Sequence, residues 1–279
     1  MIAAAAAGLV AALVAVPLLR DENTEADAIT QQGLVHVHGL GVNPSDGALY
    51  IATHTGMWRV SPGGTKPEPV GTSHQDTMGF TIVGADHFLG SGHPDNFNQP
   101  PLLGLIESTD SGSSWKPISL LGHADFHVLR ALGSRVYGYD ASHGRLLISH
   151  DKGRSWTNLR PPEPLIDLVV NPSQPRRLFA STARVLITSA DEGRTWKAVA
   201  PGAGLLAWPT SKRMFLVDGR GRVHVTANTG SAWKKLGQVG GQPTAFLAIS
   251  PTDLYVALHD GTIKRSQDGG ATWKIRSAA

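Results

Sequence analysis

The sequence predicts an all-β protein, a six-bladed β-propeller, and three observations carry that prediction. An eight-residue pattern, Ser/Thr-x-Asp-x-Gly-x-Ser/Thr-Trp, recurs at near-constant spacing. Between its copies lie short apolar runs bounded by Gly, Pro, Asn and Asp, none of helix length with 3.6-residue periodicity. Thirty-two Gly and 18 Pro in 279 residues call for many tight turns. Four short strands in each unit of roughly 40 residues make one propeller blade. Residues 33–279 hold six such units. A β-solenoid of similar period is the alternative architecture.

Along the chain, the first element is Ile2 to Leu19, a run without a charge, closed by Arg20 and the acidic stretch Asp21 to Glu25. Residues 1–20 therefore read as a signal peptide or membrane anchor, although no basic residue precedes the run. Residues 21–32 read as a polar linker. The expected location is extracytoplasmic, secreted or anchored, with membrane contact only through this segment if it is uncleaved. Hydrophobic residues at 41% and charged residues at 17% exclude a disordered chain. A net charge of +3, with no Lys/Arg run longer than a pair, argues against a nucleic-acid partner. Without cysteine there is no disulfide framework, thiolate zinc site or cysteine nucleophile.

In the first unit, Ser61-Pro62-Gly63-Gly64 stands where an octet would begin, without its Asp and Trp. Full octets follow from Ser108 to Trp115, Ser149 to Trp156, Ser189 to Trp196 and Ser266 to Trp273. A degraded copy runs from Thr226 to Trp233, with Asn228 for Asp and Ala232 for Ser/Thr. The steps between tryptophans are 41, 40, 37 and 40 residues. A fixed period with an aromatic signature means repeated units. Each octet should join the third strand of a blade to its fourth. Asp110, Asp151, Asp191, Asn228 and Asp268 should accept turn hydrogen bonds, with Gly supplying a positive φ. Trp115, Trp156, Trp196, Trp233 and Trp273 should fill the space between blades.

This octet resembles the Asp-box, or BNR repeat, of sialidases, sortilin-type receptors, xyloglucanases and the photosystem II stability/assembly factor. The opening His36-Val37-His38-Gly39-Leu40 is similar to that of bacterial secreted proteins described as glycosyl-hydrolase-like. The resemblance implies a propeller, and a glycoside hydrolase is the activity it suggests. Sialidase chemistry would need three arginines, a Tyr–Glu pair and an acid Asp. The mouth offers Arg184, Arg220 and Arg222, one tyrosine and no nearby Glu, and the Arg-Ile-Pro motif is absent. An exo-sialidase is therefore not expected.

If the octets occupy one face of the disc, the entries to the first strands and the second-to-third turns form the opposite mouth. Nine of the twelve histidines map there: His36, His38, His54, His74, His93, His123, His127, His143 and His259. By strand alternation, His36 with His38, Asp76 with Met78 and Asp125 with His127 should project as i, i+2 pairs. Imidazoles beside carboxylates suit a divalent metal, zinc or copper, with His36, His38, His127, Asp76 and Asp125 as its ligands. His54, His74, His93, Asp95, His123, Tyr139 and His143 are candidates for binding a small polar ligand, glycan or peptide. Blade two also carries an enlarged loop, His93 to Pro101, of the kind that often binds. If the protein is an enzyme, Asp76, Asp125 and Asp167 are the candidate catalytic carboxylates. A water-filled polar channel and an assembly scaffold are the competing readings.

Overall fold

The sequence folds as six four-stranded antiparallel sheets, each built from consecutive strands in chain order, in the computed structural model. It describes residues 34, 36–227 and 230–278; the N-terminal segment, the linker and Asn228 lie outside the described residues. No helix occurs among the described residues. The innermost strands are Val37–Val42, Asp76–Gly84, Phe126–Leu132, Asp167–Asn171, Leu205–Thr210 and Pro243–Ala248. They surround the axis of a six-bladed propeller.

Each full octet is a turn closed by its own side chains. In the second blade Ser108 Oγ donates to Asp110 Oδ1 at 2.7 Å and accepts from Gly112 N at 2.8 Å. Asp110 then accepts from Ser114 N at 2.9 Å and Ser114 Oγ at 2.6 Å. The same set recurs around Asp151, Asp191 and Asp268. Two successive residues take positive φ, such as Lys152 at 60° and Gly153 at 84°, which turns the chain back into the fourth strand.

Six buried hydrophobic clusters occupy the six blade boundaries. Trp115, Trp156, Trp196, Trp233 and Trp273 each pack between their own blade and the preceding one. The boundary between blades six and one has no octet tryptophan. There Trp58, Tyr255, Ile51 and Ile263 form the core. Arg276 donates to the carbonyls of Gly64 and Ser61, and Ser277 Oγ donates to Thr65 O at 2.8 Å. The degenerate first octet thus serves as the seat for the last strand, and these bonds close the ring.

The hydrogen bonds of the octet turns hold their carboxylates below the ordinary value of 3.8, most strongly at Asp151, Asp191 and Asp268. Hydrogen bonds from the Thr195 amide and hydroxyl, and from Ser189, hold Asp191 at about 2. The Thr272 hydroxyl and amide, and Ser266, do the same for Asp268. A depressed carboxyl pKa contributes stability that is present above the unfolded value and lost as pH falls through the folded one. The urea midpoint should therefore drop as pH falls from about 4 to about 2. The double variant Asp191→Asn, Asp268→Asn should be less stable at pH 5 and show a shallower acid slope. Equal slopes in the two proteins would contradict this assignment.

Candidate functional site

At the mouth, β-bulges decide where side chains point. In blade one the register passes from Val37↔Thr53 to Gly39↔Ala52, so His38 is an extra residue without a partner. The same shift skips Met78 in blade two, His127 in blade three and Thr244 in blade six. A bulge bends its strand and re-aims the unpaired residue. All four of these residues line the axial cavity. Strand alternation therefore fails here, and the expected His36–His38 clamp does not form. His36 precedes the strand with φ 50° and lies beside His54 and His259, ring centroids 6.0 and 5.9 Å away.

Two carboxylates organise the polar side of the mouth. Asp76 has His38 Nε2 3.4 Å from Oδ1 and His54 Nδ1 2.8 Å from Oδ2. Asp125, only 2% exposed, holds His127 Nε2 at 2.8 Å and has His93 Nε2 3.5 Å away. Burial pushes the Asp125 carboxyl up, but the bond and charge of His127, with His93 and Ser142, outweigh it and leave it below the ordinary range. The same bond raises His127, against the opposing effect of burial. The metal set expected from sequence is thus divided. His38 and Asp76 share a group with His54, while His127 and Asp125 belong to a second pair with His93, and His36 joins neither.

Local structure holds these groups. Thr53 Oγ1 donates to Gly56 O at 2.8 Å and accepts from Thr55 N at 3.1 Å, fixing the turn that presents His54. Gly92, at φ 145°, passes so close that a Cβ there would meet the Asp76 carbonyl. Only glycine allows the two strands to approach in this way. His38 Nε2, Asp76 Oδ1 and Asp125 Oδ1 are buried without a hydrogen-bond partner among the described residues. Each such atom costs about 1–3 kcal/mol.

Other candidates take structural positions. Asp167 accepts from Arg130 Nη2 and Leu168 N at 2.7 Å and from Leu206 N at 2.8 Å, stapling blade four to blades three and five. Burial raises its pKa against the pull of Arg130 and the two amides, and it is enclosed by those donors. It lines the axial cavity, but both of its oxygens are engaged by these donors. Tyr139 is 3% exposed and packs with Leu165, Leu168 and Ala180, so it belongs to a blade boundary. Asp95 ties the enlarged loop back through Ser73 Oγ at 3.1 Å and the His74 amide at 2.8 Å. His74 and His123 are exposed. His143 pairs with fully buried Asp140 at 2.8 Å, and Arg145 shares the same oxygen. His93 links its loop to the mouth, with Nδ1 2.9 Å from Pro101 O.

The axial cavity has a volume of about 440 Å3. Its wall carries imidazoles on blades one and three, through His38 and His127, and is mainly apolar on blades four to six, through Ile166, Leu205 and Phe246, with Asp167 and Thr244 as the polar exceptions. Sequence reasoning passed over this apolar half. Its one signal was the absence of histidine from the first-strand entries of the last three blades.

No protein-family model matches the sequence, and no curated protein matches it either. Solved structures do. YCF48 from Cyanidioschyzon merolae aligns over 86% of this chain and 84% of its own, at 15% identity and TM-score 0.53. YCF48 bound to D1 peptide aligns over 87% and 82%, at 16% identity and TM-score 0.55. The GH74 enzyme of Niastella koreensis aligns over 87% of this chain but only 45% of its own, at 16% identity and TM-score 0.65. This chain therefore spans less than half of that enzyme, and at these identities the likeness is one of fold.

Proposed function

We propose that this chain is an exported binding propeller of the Asp-box type, which takes a peptide segment into its axial mouth without chemical turnover. The observation that carries this reading is the two-sided cavity, lined by the imidazoles of His38 and His127, which Asp76 and Asp125 back, on one half and by Ile166, Leu205 and Phe246 on the other. Its volume of about 440 Å3 lies within the usual range for ligand sites, roughly 300–1,000 Å3. A peptide offers both halves a partner: backbone amides and carbonyls for His and Asp, and an apolar side chain for the facing wall. A glycan would use the apolar half poorly. The structure of YCF48 bound to D1 peptide supports the reading, since it shows that a propeller of similar fold can hold a peptide. The uncharged N-terminal run supports export. Glycoside hydrolysis needs a carboxyl held protonated. Against the upward push of burial, His127 holds Asp125 below the ordinary range. Asp167, though raised by burial, has both oxygens engaged by Arg130 and two backbone amides, which leaves neither free to serve a substrate.

Panning a random dodecapeptide display library on the immobilised propeller should enrich sequences that place an apolar residue beside polar positions. The variant Ile166→Asp, Leu205→Asp should enrich none, and neither change buries a charge because both side chains reach the surface. Undiminished enrichment in that variant would remove the cavity from the reading. Turnover of fluorogenic glycosides that disappears in Asp76→Asn would replace it with catalysis.

A further inference from the structure

We infer that His38, His54 and Asp76 form a binding site for a divalent transition-metal ion such as zinc. Their three donor atoms lie within 4.8 Å of one another and come from different parts of the fold. His38 is supplied by a bulge, His54 by a tight turn and Asp76 by the start of the next blade. A tetrahedral zinc ion bound to nitrogen and oxygen at about 2.0–2.2 Å sets its donors roughly 3.3–3.6 Å apart. His38 Nε2 and Asp76 Oδ1 stand 3.4 Å apart, which meets that spacing.

A hydrogen-bonded cluster with no metal accounts for the His54–Asp76 contact but not for the His38 side of the group. His38 Nε2 and Asp76 Oδ1 face each other, yet both are buried without a hydrogen-bond partner. A cation between them satisfies both lone pairs at once. His54 Nδ1 is 2.8 Å from Asp76 Oδ2, closer than two ligands of one ion, but its side chain is 59% exposed and can swing outward. Two imidazoles and one carboxylate suit zinc and neighbouring first-row ions. Three protein donors leave a further position open to water or a bound ligand. Because His38 also lines the axial cavity, the ion would stand at the cavity's rim. The site does not depend on the peptide reading, and either can fail alone.

The test is zinc titration of the chelator-treated, dialysed full chain by calorimetry, with thermal melting alongside. The wild type should bind one ion per chain and melt at a higher temperature with zinc, since the metal binds only the assembled ring. His54→Ala, on an exposed turn, should fold normally and lose roughly 100-fold or more in affinity, at or beyond the loss seen for outer-shell changes. Asp76→Asn should do the same, with circular dichroism confirming the apo fold. His143→Ala and His224→Ala should leave affinity unchanged. Cobalt substituted for zinc should give the intense visible absorption of a four-coordinate ion in the wild type and lose it in His54→Ala. A folded wild type that binds no zinc would overturn the inference. So would stoichiometric zinc retained by the folded His54→Ala, Asp76→Asn double variant, or zinc lost in His127→Ala but kept in His54→Ala.

Discussion

Replacing Asp167 by Ala should destabilise the ring by about 2–4 kcal/mol, among the largest single-site losses expected in this protein. The carboxylate is 4% exposed and serves three blades at once: Arg130 in blade three, the Leu168 amide in its own strand and the Leu206 amide in blade five. Its removal leaves two buried amides unpaired and strips Arg130 of its partner. The figure is set towards the lower side of the roughly 3–5 kcal/mol lost when one member of a buried pair is removed, because the Arg130 side chain is 31% exposed. Urea unfolding at pH 7 measures the loss. A double-mutant cycle with Arg130→Ala should show strong coupling, since the two side chains share one bond. Zinc binding by the folded variant should be unchanged. An Asp167→Ala protein of wild-type stability would mean that the carboxylate is held for chemistry rather than for assembly.

Arg276→Ala should cost about 2–4 kcal/mol, from two charge-assisted bonds to backbone carbonyls discounted for partial exposure. Its distinguishing effect is on where the ring opens. Five boundaries are filled by an octet tryptophan, and the sixth joins a core around Trp58 and Tyr255 to the bonds of Arg276 and Ser277 with residues 61–65. Amide exchange should therefore quicken first in blades one and six. Arg276→Lys should rescue it only in part, because the ammonium is a point charge on a shorter stem and lacks the planar fork with which the guanidinium meets the two carbonyls. Arg154→Ala removes an exposed arginine that also donates to a backbone carbonyl, Asp151 O, and it provides the control. Equal losses for Arg154→Ala and Arg276→Ala would refute the ring-closing role.

The propeller was legible because its signals are local. An octet closes its turn with its own Ser, Asp and Gly, so its sequence and its geometry are nearly the same fact. The missing tryptophan of blade one was equally visible, but its compensation was not. Arg276 lies more than two hundred residues from the carbonyls it binds, and no periodicity marks a contact made once.

The candidate site was half legible. Counting histidines at strand entrances picked out the face on which His38, His54 and Asp76 come together, and all three were among the residues singled out. Grouping them failed because alternation assumes an unbroken ladder. A bulge is a mismatch of count between two paired strands, and neither strand records it alone. His38, Met78 and His127 were re-aimed in that way, and His36 left the strand altogether.

By itself the sequence determined the strand content, the six units, the octet turns and the face that carries the imidazoles, because each depends on residues close together in the chain. Tertiary structure alone decided which carboxylate each histidine meets, that Asp167 staples three blades, and that an apolar wall faces the polar one. Those outcomes depend on how separate blades are brought around one axis, where a shift of a single residue in register moves a side chain from one neighbour to another.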